Sequence, residues 1–120
     1  MESGEASPRL IRFHHGTDIL CGKDLLQNGV DEQSAAAWNG SGEFWASLDH
    51  GRAEWFARSH PNSPPAVCFE FDLPEPVFEF ILRMKPLGVR HHAPNDFEFL
   101  PPSYAILNEN MVNRQTVAVP

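Results

Sequence analysis

Apolar and polar positions alternate at the start of the chain, and the period of that alternation changes as the chain proceeds. Leu10, Arg12 and His14 fall on one side of an extended run, with Ile11, Phe13 and His15 on the other, which predicts a strand over Leu10 to His14. Thr17-Asp18 then offers a cap for a short helix from Ile19 to Gln27, with Ile19, Leu20, Leu25 and Leu26 able to share a buried side. Asn28-Gly29 ends it, glycine supplying the left-handed turn. Ser34 to Trp38 can add a helical turn, and Asn39-Gly40-Ser41-Gly42 forms a glycine-rich loop. Glu43 to Ser47 returns to a strand. Asp49 caps a helix reaching about Ser59, with Ala53, Phe56 and Ala57 on its inner side and Trp55 beside them.

The second half reads mostly at period two. After a loop from His60 to Pro65, Val67, Phe69, Phe71 and Leu73 alternate with Cys68, Glu70 and Asp72, the pattern of a half-exposed strand over Ala66 to Leu73. Val77 to Met84 reads as another strand, Lys85 to Asn95 as a loop carrying Arg90-His91-His92, and Phe97 to Leu100 as a strand broken by Pro101-Pro102. Tyr104 to Leu107 continues or restarts it, and Asn113 to Val119 supplies a last edge strand. The 11 prolines cut this half into short pieces joined by stiff loops. Helices early and short strands late imply the α+β class.

At 120 residues the chain is one domain, expected over residues 9–120 behind a disordered lead-in at residues 1–8. That lead-in is acidic and small, unlike a signal peptide, and no apolar run approaches the roughly 18–20 residues of a membrane helix. A cytoplasmic protein without membrane attachment is therefore expected, with export as an effector by another route left open. The net charge of −7 argues against a protein whose main business is gripping phosphate backbones. Cys21 and Cys68 lack any CxxC spacing; a disulfide and two thiols are both open, and buried thiols in a reducing compartment fit better.

Candidate chemistry sits in three stretches: His15-Gly16-Thr17, Gly42-Glu43-Phe44-Trp45-Ala46-Ser47, and Asp96-Phe97-Glu98-Phe99-Leu100. A histidine beside a glycine at the end of a strand suits recognition of a carboxamide or a ribose, because the glycine lets a ligand approach the main chain. Spacing alone leaves blander roles open. Glu98 also reads as the solvent-facing glutamate of an amphipathic strand, His15 as a hydrogen-bonded core histidine and Trp45 as a core aromatic. The pairs His14-His15 and His91-His92 do not point to a metal, since neighbours on a strand face opposite ways and no HExxH or CxxC spacing is present. GxSxG, GxGxxG and P-loop patterns are absent as well.

Taken in order, the three stretches resemble the ADP-ribosyltransferase superfamily, in the branch with a His–Tyr–Glu triad that includes the poly(ADP-ribose) polymerases and small bacterial toxin-like domains. His15-Gly16-Thr17 resembles its His-Gly-Ser/Thr, the Gly42 to Ser47 segment with the following helix its aromatic segment, and Phe97-Glu98-Phe99-Leu100 its glutamate strand. The resemblance implies a split sandwich of two small antiparallel or mixed sheets with two or three short helices. It implies NAD as co-substrate, with the Gly16 main chain on the nicotinamide carboxamide and His15 and Thr17 on the adenine-side ribose. Phe44, Trp45 and Ser47 would complete the NAD site, Trp45 by stacking on nicotinamide in place of the family tyrosine. Glu98 would be the catalytic residue, holding the 2′-hydroxyl of the nicotinamide ribose. The implied activity is mono-ADP-ribosyl transfer to a protein, nucleic acid or small molecule. NAD glycohydrolysis and a non-catalytic module that binds NAD, ADP-ribose or a protein are the alternatives, and an immunity (antitoxin) protein is an implied partner of a toxin-like form.

Overall fold

The computed structural model describes residues 8–33, 43–59, 65–85 and 87–120. The strands are β1 (Leu10–Asp18), β2 (Phe44–Ser47), β3 (Ala66–Pro74), β4 (Val89–Ala93), β5 (Asp96–Phe99) and β6 (Val112–Ala118). The helices are α1 (Ile19–Asn28), α2 (His50–Ser59), α3 (Glu75–Arg83) and α4 (Tyr104–Asn110), with a 3₁₀ turn at Pro101–Ser103. The helical turn expected over Ser34 to Trp38, the Asn39 to Gly42 loop, the lead-in up to Ser7 and the loop at 60–64 lie outside the described residues.

All six strands form one antiparallel sheet in the order β4-β5-β2-β1-β3-β6. β1 and β3 pair along their whole length, from Leu10–Pro74 to Asp18–Ala66. β1 and β2, by contrast, are in register at His14–Ser47 alone. The sheet is thus two three-stranded halves joined edge to edge at one point. The class is α+β as expected, but the halves share one hydrogen-bonded sheet instead of packing face to face, and helices α1 to α4 accompany it among the described residues.

One face of the sheet is apolar. Phe13, Phe44, Phe69, Phe71, Phe97 and Phe99 project from it and are buried, and Leu25 of α1, Phe78 and Ile81 of α3 and Leu107 of α4 close over them. Phe13 sits at the centre, stacked on Phe71 at 5.4 Å and edge-on to Phe78 at 5.1 Å. Each such ring contributes about 1.5–3 kcal/mol by leaving water. The opposite face carries Arg12, His14, Glu70, Asp72, Glu98 and Asp96, placed there by strand alternation and cross-strand register.

Several expectations need correction. Val77 to Met84 belongs to a helix: Pro76 occupies its first turn, where a missing N–H costs nothing, and Phe78 and Ile81 are buried three residues apart. Tyr104 to Leu107 is helical for the same reason, Tyr104 and Leu107 being buried at that spacing. The loop expected from Lys85 to Asn95 contains β4, an edge strand whose polar residues hide any alternation. β3 is buried on both faces, Glu70 and Asp72 included, because helix α2 and the polar network cover its second side. In α1 the buried residues are Cys21, Gly22 and Leu25, while Leu20 is 65% exposed. In α2 only Ala53 and Ala57 are buried, and Trp55 and Phe56 face outward beneath the Arg52 guanidinium. The reason is close approach: a methyl group on Gly16 would lie 1.9 Å from the Ala53 carbonyl oxygen, so the helix rests on bare main chain and only alanines fit at its seam.

Candidate functional site

Trp45 connects the three sequence stretches. It pairs directly with Glu98 across the β2–β5 ladder, which puts both side chains on the polar face. Its carbonyl accepts a hydrogen bond from Nδ1 of His15 on β1. This bond spans the place where β1 and β2 have left their ladder, and it fixes the proton of a neutral His15 ring on Nδ1. The indole, 36% exposed, carries the His92 ring stacked on it at 4.5 Å.

Glu98 is 3% exposed yet surrounded by donors. His92 Nε2 donates to Oε1 at 2.6 Å, and Arg90 lies 3.5 Å from Oε2. Burial by itself raises this carboxyl, but the hydrogen bonds with His92 and Glu43 and the charge of Arg90 outweigh it and hold the group below its ordinary value. Glu98 is therefore a buried carboxylate, not the solvent-facing residue of an amphipathic strand. His92 reaches it from the bulge of β4, where the register with β5 shifts between His91 and Ala93.

The other candidate residues are distributed as follows. His15 lies on the apolar face, stacked on the buried Phe44 at 4.5 Å. Thr17 is 1% exposed under α1, near Gly22, and its Oγ1 is a buried polar atom with no hydrogen-bond partner among the described residues. Gly16 is the seat of α2. Ser47 accepts the Asp49 N–H through Oγ at 3.0 Å and so orders the entry to α2, while Asp49 accepts the Arg52 N–H at 3.1 Å. Asp96 binds Arg52 at 3.1 Å. The structure thus brings His15, Trp45 and Glu98 together through the Trp45 residue, with His15 and Glu98 projecting from opposite faces.

A second polar cluster lies on the same face over β1 and β3. Arg12 forms a two-pronged bond with Asp72, at 2.8 and 3.0 Å, across a directly opposed pair. Next along the ladder, His14 faces Glu70. Nδ1 of His14 and Nδ1 of His50 approach the same oxygen, Oε2 of Glu70, at 2.7 and 2.9 Å. The other oxygen, Oε1, accepts from Gln115 at 2.9 Å and lies 3.4 Å from Arg12. Burial would raise the Glu70 carboxyl, and the hydrogen bonds of Gln115, His14 and His50 more than reverse this and lower it. Sequence reasoning missed this cluster. Strand alternation sets His14 on the face opposite His15, but its partners lie 36 and 56 residues away, and nothing local marks them. Cys68, nearby on β3, is fully buried, and burial with the charges of Glu70 and Glu54 pushes its thiol up to about 12. Such a thiol is no nucleophile. Cys21 is a buried thiol as well.

No helix among the described residues is long and apolar enough to cross a membrane. Comparison with protein-family models gives no match, and comparison with curated proteins gives none either.

Proposed function

We propose that the chain is an NAD-dependent mono-ADP-ribosyltransferase of the His–Tyr–Glu type, cleaving the nicotinamide–ribose bond and passing ADP-ribose to an acceptor. The observation that carries this reading is the junction at Trp45, where the residue bonded to His15 is also the one opposed to a buried, ionised Glu98. Three stretches far apart in sequence meet there, next to the His14–Ser47 register pair that joins β1 to β2.

The chemistry is consistent with these groups. Loss of nicotinamide develops positive charge on the ribose, as in glycoside cleavage, and a fixed carboxylate next to the sugar stabilises it. Glu98 fits that need because its donors hold its carboxyl below the ordinary value although it is buried. Trp45 already holds one flat ring, that of His92, and the nicotinamide would take the same kind of place. In the proposed role His15 acts through its bond to the Trp45 carbonyl, while Gly16 seats α2 and Thr17 and Ser47 act on the ligand less directly than their positions in sequence imply. Phe44 holds His15 in place from the core.

One observation favours a non-catalytic module of the same fold. His92 both stacks on Trp45 and bonds Glu98, so the chain's own side chain fills the space a substrate would use. The deciding experiment is nicotinamide release from NAD by the purified protein, with and without cell lysate, beside Glu98→Gln. Release that collapses in the variant supports the transferase, and release unaffected by lysate supports the hydrolytic form. Binding of NAD without release supports the module, and neither removes the NAD reading.

A further inference from the structure

His14, His50 and Glu70 have no part in the reading above, and their geometry has a chemistry of its own. Three ligand-type atoms converge: His14 Nδ1 and His50 Nδ1 lie 2.7 and 2.9 Å from Glu70 Oε2 and 3.4 Å from each other. Two imidazole nitrogens directed at one another gain nothing from their mutual contact, since both need their hydrogens for the same carboxylate oxygen. Ligand atoms about 2.0–2.1 Å from a tetrahedral zinc ion stand about 3.3–3.4 Å apart. The nitrogen pair is already at that spacing, and the two nitrogen–oxygen contacts need open by only about half an ångström.

We propose that His14 Nδ1, His50 Nδ1 and Glu70 Oε2 form a binding site for one divalent transition-metal ion of the zinc type, with a fourth position open.

The surrounding groups are those that orient metal ligands. His50 turns its second nitrogen, Nε2, to the Glu54 carboxylate at 3.2 Å, the arrangement that fixes a ligating imidazole and raises its basicity. Glu70 has its second oxygen held by Gln115 at 2.9 Å, which leaves Oε2 directed at the two rings. The three ligands come from three elements, β1, α2 and β3, so the site is held by the fold and not by a flexible loop. Glu70 is almost fully buried, while the His50 side chain is 42% exposed, so an ion can reach the cluster from the His50 side. Two nitrogens and one carboxylate oxygen select a borderline ion over magnesium or calcium, which take oxygen ligands. A His₂-carboxylate set with an open fourth position is also the donor set with which zinc activates water.

The test uses the full chain without a histidine tag, stripped with a chelator and dialysed, then titrated with zinc against a chromophoric chelator. One equivalent is expected to bind. His50→Ala, on the exposed side of the cluster, is expected to abolish that equivalent with its circular dichroism unchanged. Glu54→Ala is expected to weaken binding about 10- to 100-fold. His91→Ala, outside the cluster, is expected to bind as the wild type does. Cobalt in place of zinc is expected to give the visible absorption of a low-coordinate nitrogen–oxygen site, lost in His14→Ala and His50→Ala. No stoichiometric uptake by the wild type, or undiminished uptake by His50→Ala, overturns the proposal and leaves a hydrogen-bonded triad. None of these readouts involves NAD, so the metal site and the transferase reading stand or fall separately.

Discussion

His92 donates to Glu98 at 2.6 Å while its ring lies stacked on Trp45 at 4.5 Å. One edge-strand histidine therefore helps keep a buried carboxylate charged and covers the aromatic surface beside it. If the site turns over NAD, His92→Ala uncovers Trp45 and removes one donor from Glu98. Its KM for NAD is expected to fall or stay level while kcat drops, the pattern of a group that matters more to the transition state than to binding. Glu98→Gln is expected to lose at least about 100-fold in kcat, the scale of one lost electrostatic stabiliser. Steady-state nicotinamide release measures both, and equal loss in KM alone for the two variants would falsify the assigned roles.

Gly16 has a structural duty that its motif position conceals. An added Cβ would lie 1.9 Å from Ala53 O and 2.6 Å from Ala57 N, both main-chain atoms that cannot move aside singly. Gly16→Ala is expected to lower stability by about 1–3 kcal/mol or more, read as a shifted urea midpoint. Wild-type stability in this variant would mean that α2 does not rest on β1.

Thr17 separates packing from recognition. Its Oγ1 is buried with no hydrogen-bond partner among the described residues, so Thr17→Val removes a polar burden and is expected to be neutral or stabilising by up to about 1 kcal/mol. Calorimetric titration with NAD then tells whether the hydroxyl serves the ligand. Weaker binding at unchanged stability assigns it a ribose contact, and unchanged binding removes Thr17 from the site.

Acid should weaken the fold through Glu70. Its folded-state carboxyl is held below the ordinary value of 4.5, so the associated stability is complete above about pH 4.5 and is lost as the pH falls through the lower folded value. Urea midpoints measured from about pH 6 to about pH 3 are expected to fall steadily for the wild type. In Glu70→Gln the unfolding free energy should start lower by about 1–3 kcal/mol and the midpoints should fall less steeply below pH 4.5, the residual slope coming from groups such as Glu98. Parallel curves for the two proteins would show that Glu70 is not linked to folding.

Ser47 provides a further check on the site. Its hydroxyl accepts the Asp49 N–H at the start of α2, so Ser47→Ala is expected to cost about 1 kcal/mol in stability. If Ser47 acts only there, NAD affinity stays the same once the protein is folded.

What the chain determined by itself is its local signals. The alternation of Leu10 to His15, the Asp18 cap whose carboxylate accepts the Cys21 N–H, and the Gly29 left-handed turn at φ 77° depend on neighbours a few residues away. So does the run Val67 to Leu73, and each of these elements lies close to where the pattern put it. Short apolar runs flanked by proline, such as Val77 to Met84, satisfy period two and period 3.6 alike, and only the buried seam of Phe78 and Ile81 against the phenylalanine core decides for the helix. β4 needed β5 beside it, because its polar residues carry no periodic signal until Arg90 meets Glu98. The polar face is the clearest case. That His14 faces Glu70, that Arg12 forks onto Asp72 and that His50 arrives from α2 all depend on the register of β1 with β3 and on the bare glycine that lets a helix lie on the sheet. Pairing between segments more than 50 residues apart is chosen by the whole core at once, and no window of sequence contains it.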